Sequence, residues 1–197
     1  MRLNETEICN TAIGLCGSTD WIMALTQDSV GAKRCNRFLP VATEKVLRKH
    51  DWNSATKLAQ LAQNTAAPEF LYDHAYSLPY DCVRMIDVYG DPSFYSPYDR
   101  WKVRGRNVHT DLDAVYIEYV AMPEDYRELD VLLSEAIAYE LALMLAPSLM
   151  NDPQMFSILN SAKQRAYVEA QAIDTLENKY VNTENVVWSD ARVNWTS

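Results

Sequence analysis

Closely spaced carboxylates are the residues of this sequence that could most directly perform chemistry. A glycoside hydrolase needs two carboxyl groups, one to protonate the leaving oxygen and one to act as base or nucleophile. Two groups supply the residue types: Glu124, Asp125, Glu128 and Asp130 in the first, and Asp111 and Asp113 in the second. The first group also fits the acidic opening turn of a helix, and the second fits a solvated loop. We expect these structural roles and keep a cell-wall (peptidoglycan) hydrolase as the enzymatic alternative.

Histidine and cysteine, the other residues of nucleophilic and metal chemistry, are few and scattered. The histidines lack H-E-x-x-H or H-x-H spacing and are expected at surfaces or interfaces: His50, His74 and His109. The cysteines form no C-x-x-C pair, which argues against a zinc ribbon: Cys9, Cys16, Cys35 and Cys82. We expect buried free thiols that pack as small hydrophobes. The sequence therefore predicts no catalytic, cofactor-binding or metal-binding residue, and no enzymatic activity.

A basic segment offers a different kind of site, one for binding. Positive side chains alternate around an aromatic one in the run Arg100, Trp101, Lys102, Arg104 and Arg106, with His109 close by. Three interpretations stay open. The segment could contact an acidic partner subunit, it could be a solvated strand face, or it could touch DNA. We favour the partner, and name this run as a candidate interface with a tail component.

Charge and composition narrow the class of protein. The 197 residues carry a formal net charge of −9, which opposes tight binding to a phosphate backbone. Such acidity suits a surface that DNA slides past, although solubility alone also explains it. With five glycines, the chain has no G-x-G-x-x-G or P-loop motif. The N-terminus shows no secretory signal, and the apolar run 136–146 is too short for a bilayer. We therefore expect synthesis in a cytoplasm and no membrane contact.

Helices are predicted at both ends of the chain. Residues 4–17 have an apolar stripe with Asn4 or Thr6 as cap, and residues 27–50 have another stripe that Pro40 should kink or split. Two further helices are predicted, one from Pro123-Glu124 to just before Pro147 and one from Asp152-Pro153 to about Asn178. Together, 1–53 and 121–178 form the predicted helical core.

Between the helices, residues 54–120 read as a β-rich part. A strand is predicted near Ala55–Ala59, followed by a strand pair, Phe70–Leu78 and Val83–Tyr89, around a Leu-Pro turn. The segments 101–103, 108–110 and 114–120 are predicted to form a short meander. In the last of them, Val115, Ile117 and Tyr119 should face one side. The predicted fold class is α+β: a mostly helical bundle with a β-rich insertion and an extended C-terminal tail.

Several short motifs, taken in this order, resemble those of a known protein family. They are Trp52-Asn53, Ala55-Thr56-Lys57-x-Ala59, Leu78-Pro79-x-Asp81-Cys82 and Met122-Pro123-Glu124 before a long helix. In order and spacing the chain resembles the head-to-tail adaptors of short-tailed phages, the tail tubular protein A family. The resemblance implies a structural virion protein, located in the tail, that forms a ring of about twelve copies between portal and tail nozzle. DNA would pass through the lumen without sequence-specific binding.

The resemblance also assigns parts of the chain to partners. Helices 124–146 and 152–178 would supply the surfaces between neighbouring copies, and the β part from about residue 65 to 120 would face the next tail component. The tail 179–197 would dock on the portal protein through Val186, Val187, Trp188 and Trp195. From the residues alone, this tail could equally fold back on its own domain or insert into a neighbouring chain, where tryptophan is a favoured anchor.

Overall fold

The computed structural model describes residues 2–66, 68–149 and 153–177 and confirms the α+β class. Within these residues two α-helices come first, six strands follow, and two further α-helices come last. The helices are α1 (Glu5–Leu15), α2 (Val30–Leu47), α3 (Val131–Leu149) and α4 (Pro153–Glu177). The strands are β1 (Thr56–Leu61), β2 (His74–Ser77), β3 (Cys82–Tyr89), β4 (Trp101–Arg104), β5 (Asn107–Thr110) and β6 (Val115–Ala121).

The helical bundle is built around α3. Ten of its residues are buried, and it packs against α1, α2 and α4. By length and composition α3 could also cross a membrane, but these protein contacts explain its apolar character. Local signals fix the start of α1, where Asn4 accepts from the Glu7 backbone at 2.9 Å and Glu7 accepts from the Asn4 backbone at 2.7 Å. This reciprocal capping satisfies two free N–H groups of the first turn.

Trp52 joins the end of α2 to the rest of the bundle. Its ring is buried, and its indole N–H donates to the carbonyl of Val46 at 3.1 Å. The edge-on rings of His50 and Tyr167 pack against it, with centroids at 4.8 and 5.8 Å. Because Tyr167 belongs to α4, the tryptophan holds the last helix against the turn that leads into the first strand.

A buried carboxylate clamps the same helix from a second side. Asp174 of α4 accepts a hydrogen bond from the Asn53 backbone at 3.0 Å and lies 3.0 Å from the Nε2 atom of His50. Its own carbonyl accepts from the Asn53 side chain at 2.8 Å. The C-terminal end of α4 is therefore fixed beside the segment that enters β1.

The strands form two small antiparallel sheets packed face to face. One has the order β1-β6-β3 and the other β2-β5-β4. The predicted inward face of β6 is confirmed, since Val115, Ile117 and Tyr119 are all buried. They pack with Tyr76 and Val108 of the other sheet in a second core, separate from most of the helical one.

The pairing of strands differs from the prediction. The segments on either side of the Leu-Pro turn are not partners, because β2 pairs with β5 and β3 pairs with β6. Backbone hydrogen bonds tie the two sides of the turn to different segments. The Leu78 N–H donates to the Arg106 carbonyl at 2.9 Å, and the Met122 N–H donates to the Asp81 carbonyl at 2.7 Å. The predicted meander is also wrong in part. Strands β4 and β5 form a hairpin, but β6 pairs with β1 and β3.

Three predicted helix features need correction. Pro40 does not split α2, which runs unbroken past it. A proline removes one backbone hydrogen bond, and the buried residues on both sides of it, Leu39 and Ala42, outweigh that loss.

Helix α3 begins at Val131, where Asp130 caps it by accepting from the Leu132 backbone at 2.8 Å, rather than at Pro123-Glu124. It also continues past Pro147, which lies in the last turn and costs few hydrogen bonds there. Helix α4 agrees with the prediction over its described length; the predicted cap, Asp152, lies outside the described residues.

Candidate interaction surface and arginine-lined groove

The β4–β5 hairpin divides the candidate basic segment between two faces. Lys102 lies opposite His109 and Arg104 opposite Asn107, so both cationic side chains share the outer, exposed face of the sheet. Trp101 lies on the other face and packs against the core of the sandwich. All four cationic residues of the run are exposed, and two of them, Lys102 and Arg104, have no ion-pair or hydrogen-bond partner among the described residues.

Arg100 and Arg106 are engaged by their own chain. Arg100 forms an ion pair with Asp111 at 3.0 Å and also approaches the carbonyl of Leu71 at 3.4 Å. Arg106 donates to the carbonyl of Cys82 at 3.3 Å and to that of Pro79. It therefore ties the tip of the hairpin to the turn before β3.

Arg106 also belongs to a site that the sequence did not indicate. An open groove of about 420 Å³ lies between β3 and β4, and its charged walls are Arg48, Arg84 and Arg106. Trp101 and Met85 supply apolar wall. The three arginines come from the end of α2, from β3 and from the hairpin turn, so no local motif could have grouped them. In a protein with a net charge of −9, such a grouping is a local exception.

The three guanidinium groups differ in their charge partners. Arg48 binds Glu44 at 2.8 Å on the surface of α2, and Arg84 binds Asp51. The Nε atom of Arg84 is buried and has no hydrogen-bond partner among the described residues. Arg106 contacts only carbonyl oxygens there, so its charge has no carboxylate partner within the described chain. The groove can therefore accept an anionic group.

The positive charge of the groove also acts on the pKa of the Cys82 thiol, which lies in the groove wall. Burial raises the pKa of this thiol, and the charges of Arg106 and Arg48 oppose that rise. All four cysteines are buried and free, which confirms the prediction made for them. Burial similarly raises the pKa of the Cys16 thiol to about 11, so it stays protonated at neutral pH.

Apart from the exposed Glu128, the carboxylates singled out in the sequence have partners in the described chain. Asp125 caps a short 3-10 helix through the backbone of Arg127 at 2.9 Å, and Glu124 accepts from Tyr80 at 2.7 Å. Asp113 lies 3.2 Å from the Nε2 atom of His74. These contacts, with those of Asp111 and Asp130, hold turns and helix starts in place.

The histidines lie in three separate surroundings, and each is partly buried. His50 binds Asp174, and His74 lies between Asp113 and Gln63, whose amide nitrogen is 2.8 Å from the ring Nδ1. The Nδ1 atom of His109 is buried without a hydrogen-bond partner among the described residues. Within those residues, no group of three or more histidine, cysteine, aspartate or glutamate side chains could hold a metal ion.

A pair of facing carboxylates was missed by the sequence analysis. Asp87 of β3 lies directly opposite Glu118 of β6. Burial raises the pKa of Asp87, and the charges of Asp51 and Asp99 raise it further. Burial also raises the pKa of Glu118, with contributions from Asp87 and Asp51, while the Tyr89 hydroxyl at 3.4 Å partly opposes the rise. The pairing joins distant segments, so only the strand register shows it.

Because these two carboxylates face each other, we expect Glu118→Gln to stabilise the folded protein at neutral pH. The folded state binds the Glu118 proton more tightly than the unfolded chain, so the free energy of unfolding falls as pH rises through the window above the ordinary glutamate pKa. Removing the charge should add about 0.5 kcal/mol at pH 7, the scale of like charges facing each other across strands. The gain should vanish below about pH 4, where both states are protonated. Urea denaturation at the two pH values, with the exposed Glu169→Gln as control, tests this. A Glu118→Gln protein less stable than wild type at pH 7 would contradict it.

Helix α4 presents a second, unburied apolar side. Its buried residues, Leu159, Ala170 and Asp174, face the bundle. At 3.6 residues per turn, four exposed apolar residues lie on an adjacent side as two pairs, Met155 with Ile158 and Ile173 with Leu176, and the exposed Arg165 and Glu169 lie between the pairs. Ile158 is 52% exposed and Leu176 is 66% exposed. We call these four residues the α4 stripe.

Comparison with known proteins gives no family: no protein-family model and no curated protein matches this chain. The predicted portal-binding residues Val186, Val187, Trp188 and Trp195 lie outside the described residues.

Proposed function

We propose that this protein is a head-to-tail adaptor of a short-tailed phage, a structural virion protein that forms a ring between the portal and the tail nozzle. The proposal starts from the resemblance carried by the Trp52-Asn53, Leu78-Pro79 and Met122-Pro123-Glu124 motifs. One structural observation supports self-association: the α4 stripe remains uncovered by the rest of the described chain. In the virion, its occupant would be the neighbouring copy.

The distribution of burial between the two last helices refines the predicted ring contact. Helix α3 is largely enclosed by its own chain, whereas only three residues of α4 are buried. A closed ring needs one patch that meets a different patch on the next copy. We therefore assign one side of that contact to α4. The net charge of −9 supports a lumen that DNA can pass without binding.

Ring assembly on the portal tests this function. Mixing the protein with its cognate portal protein should give a larger particle by size-exclusion chromatography and a completed collar in negative-stain images. Ile158→Asp should abolish the collar, because it buries an unpaired charge in the contact that the α4 stripe is proposed to form. Its helix should remain folded by circular dichroism, since Ile158 is half exposed in the single chain.

The matched control is Asn160→Asp, an exposed position on the opposite side of the same helix from the stripe. This variant should assemble like wild type. A wild-type protein that never joins a portal, yet clears a peptidoglycan suspension in a turbidity assay, would replace the adaptor with the cell-wall hydrolase. Normal collars from the Ile158→Asp protein would show that α4 does not form the contact between neighbouring copies.

A further inference from the structure

The two sheets form a sandwich that is closed on one side and open on the other. On the closed side, Gln63 after β1 bridges to Tyr76 of β2, and Asn64 donates to the carbonyl of Ala75 at 2.8 Å. On the open side lie β3 and β4, each at the edge of its sheet. Neither edge has a second strand neighbour among the described residues, and beyond the groove the Val88 carbonyl at the far end of β3 accepts from the Tyr98 backbone at 2.7 Å. The arginine-lined groove fills the gap between these two edges.

An open gap between two strand edges is a site for an added strand. Edge strands present backbone N–H and C=O groups that an extended segment can pair with, while side-chain pockets supply specificity. Here the pockets are apolar at Trp101 and Met85 and cationic at Arg48, Arg84 and Arg106. The occupant should therefore be an extended segment with apolar residues in its middle and carboxylates at its ends.

We propose that the groove binds the protein's own C-terminal segment, residues 184–190. Its sequence is Glu-Asn-Val-Val-Trp-Ser-Asp, with a β-favouring centre and one carboxylate at each end. In an extended segment alternate side chains share a face, so Glu184, Val186, Trp188 and Asp190 fall on one side. That side matches the groove, with two anions for the arginines and two apolar residues for the Trp101 wall.

The path of the chain makes this binding sterically accessible. Helix α4 ends at Glu177, three residues after Asp174, which is hydrogen-bonded to Asn53 and His50. His50 and Asn53 flank Asp51, the ion-pair partner of Arg84 in the groove wall. Residues 178–183 span up to about 20 Å when extended. The described end of α4 therefore lies near Arg84 of the groove wall, and six residues separate it from residue 184.

The proposal is distinct from ring formation and is tested on the protein alone. Hydrogen exchange of the full-length protein should show slow exchange for backbone amides of β3 and β4. Trp188→Ala should speed that exchange about tenfold, because tryptophan is the main apolar anchor. The double change Glu184→Lys and Asp190→Lys should do the same through repulsion from the arginines. These positions are outside the described residues, whose buried side chains build the core of the sandwich.

A charge exchange identifies the groove as the site. Arg106→Glu should also speed exchange in β3 and β4, and combining it with the double tail change should restore part of the protection. Lys102→Glu with Arg104→Glu, on the outer face of the same strand, is the matched control and should have no effect. Unchanged exchange in all tail variants would overturn the proposal. So would protection that appears only at high protein concentration, since that result assigns the groove to a second copy's segment. If the adaptor function also holds, portal and groove compete for the same segment.

Discussion

Trp52→Ala should lower the free energy of unfolding by about 4 kcal/mol, the typical cost of emptying a fully buried tryptophan site. The side chain is only 1% exposed and contacts His50 and Tyr167 edge-on. Its loss also removes the donor to the Val46 carbonyl. Because the cavity lies between α2 and α4, we expect α4 to exchange amide hydrogens faster than α1 in this variant. Urea denaturation measures the loss, and hydrogen exchange locates it.

Two variants separate the causes of that loss. Trp52→Phe keeps most of the apolar area but leaves the Val46 carbonyl without its donor, so about half of the loss should remain. Trp21→Ala removes a tryptophan that is 56% exposed, and should cost less than about 1 kcal/mol. Equal losses for Trp52→Ala and Trp21→Ala would mean that Trp52 does not carry the contact between α2 and α4.

The contrast between Trp52 and α1 shows what the sequence could predict. The start of α1 follows from Asn4 and Glu7, residues three positions apart whose capping bonds are local. The inward face of β6 likewise follows from the alternation within seven residues. The burial of Trp52 depends on Tyr167, far away in the sequence, and no periodicity within either segment reports it.

The predictions of the strand partners and of the start of α3 were wrong for the same physical reason. A Leu-Pro turn is locally compatible with a hairpin, but the chain around it is held by Arg106 and Met122 from later segments. Pro123 is compatible with a first helical turn, yet α3 begins only after Asp130, which caps it. Local propensity permits several solutions, and tertiary contacts select one.

The arginine-lined groove could not be predicted for a related reason. Arg106 belongs to the basic run 100–106, but Arg48 and Arg84 lie far from that run in the sequence. Only the packing of the α2 end against β3 and the hairpin turn brings the three charges together. Sites assembled from single residues of separate elements leave no local signal in one sequence.

The basic end of α2 has a second role, which gives the other large predicted effect. Glu140 is only 8% exposed in α3, and the ammonium groups of Lys45, Lys49 and Lys163 surround it at 3.4, 3.9 and 3.3 Å. These lysines come from α2 and α4, so a single carboxylate ties three helices together. Lys49 also lies over the ring of Tyr167, 5.1 Å from its centroid. The charge of Glu140 therefore offsets a concentrated positive charge at the bundle surface.

Glu140→Gln should lower the free energy of unfolding by about 2 kcal/mol. Breaking a fully buried charge pair costs about 3–5 kcal/mol, and the partial exposure of the lysines reduces that figure through solvent screening. Glu135→Gln, on the exposed side of the same helix, should change stability by less than about 0.5 kcal/mol. Urea denaturation in low and in about 1 M salt separates the causes, because screening of the three lysines should shrink the Glu140→Gln deficit. A deficit that is absent in low salt, or matched by Glu135→Gln, would show that Glu140 does not hold the three helices together.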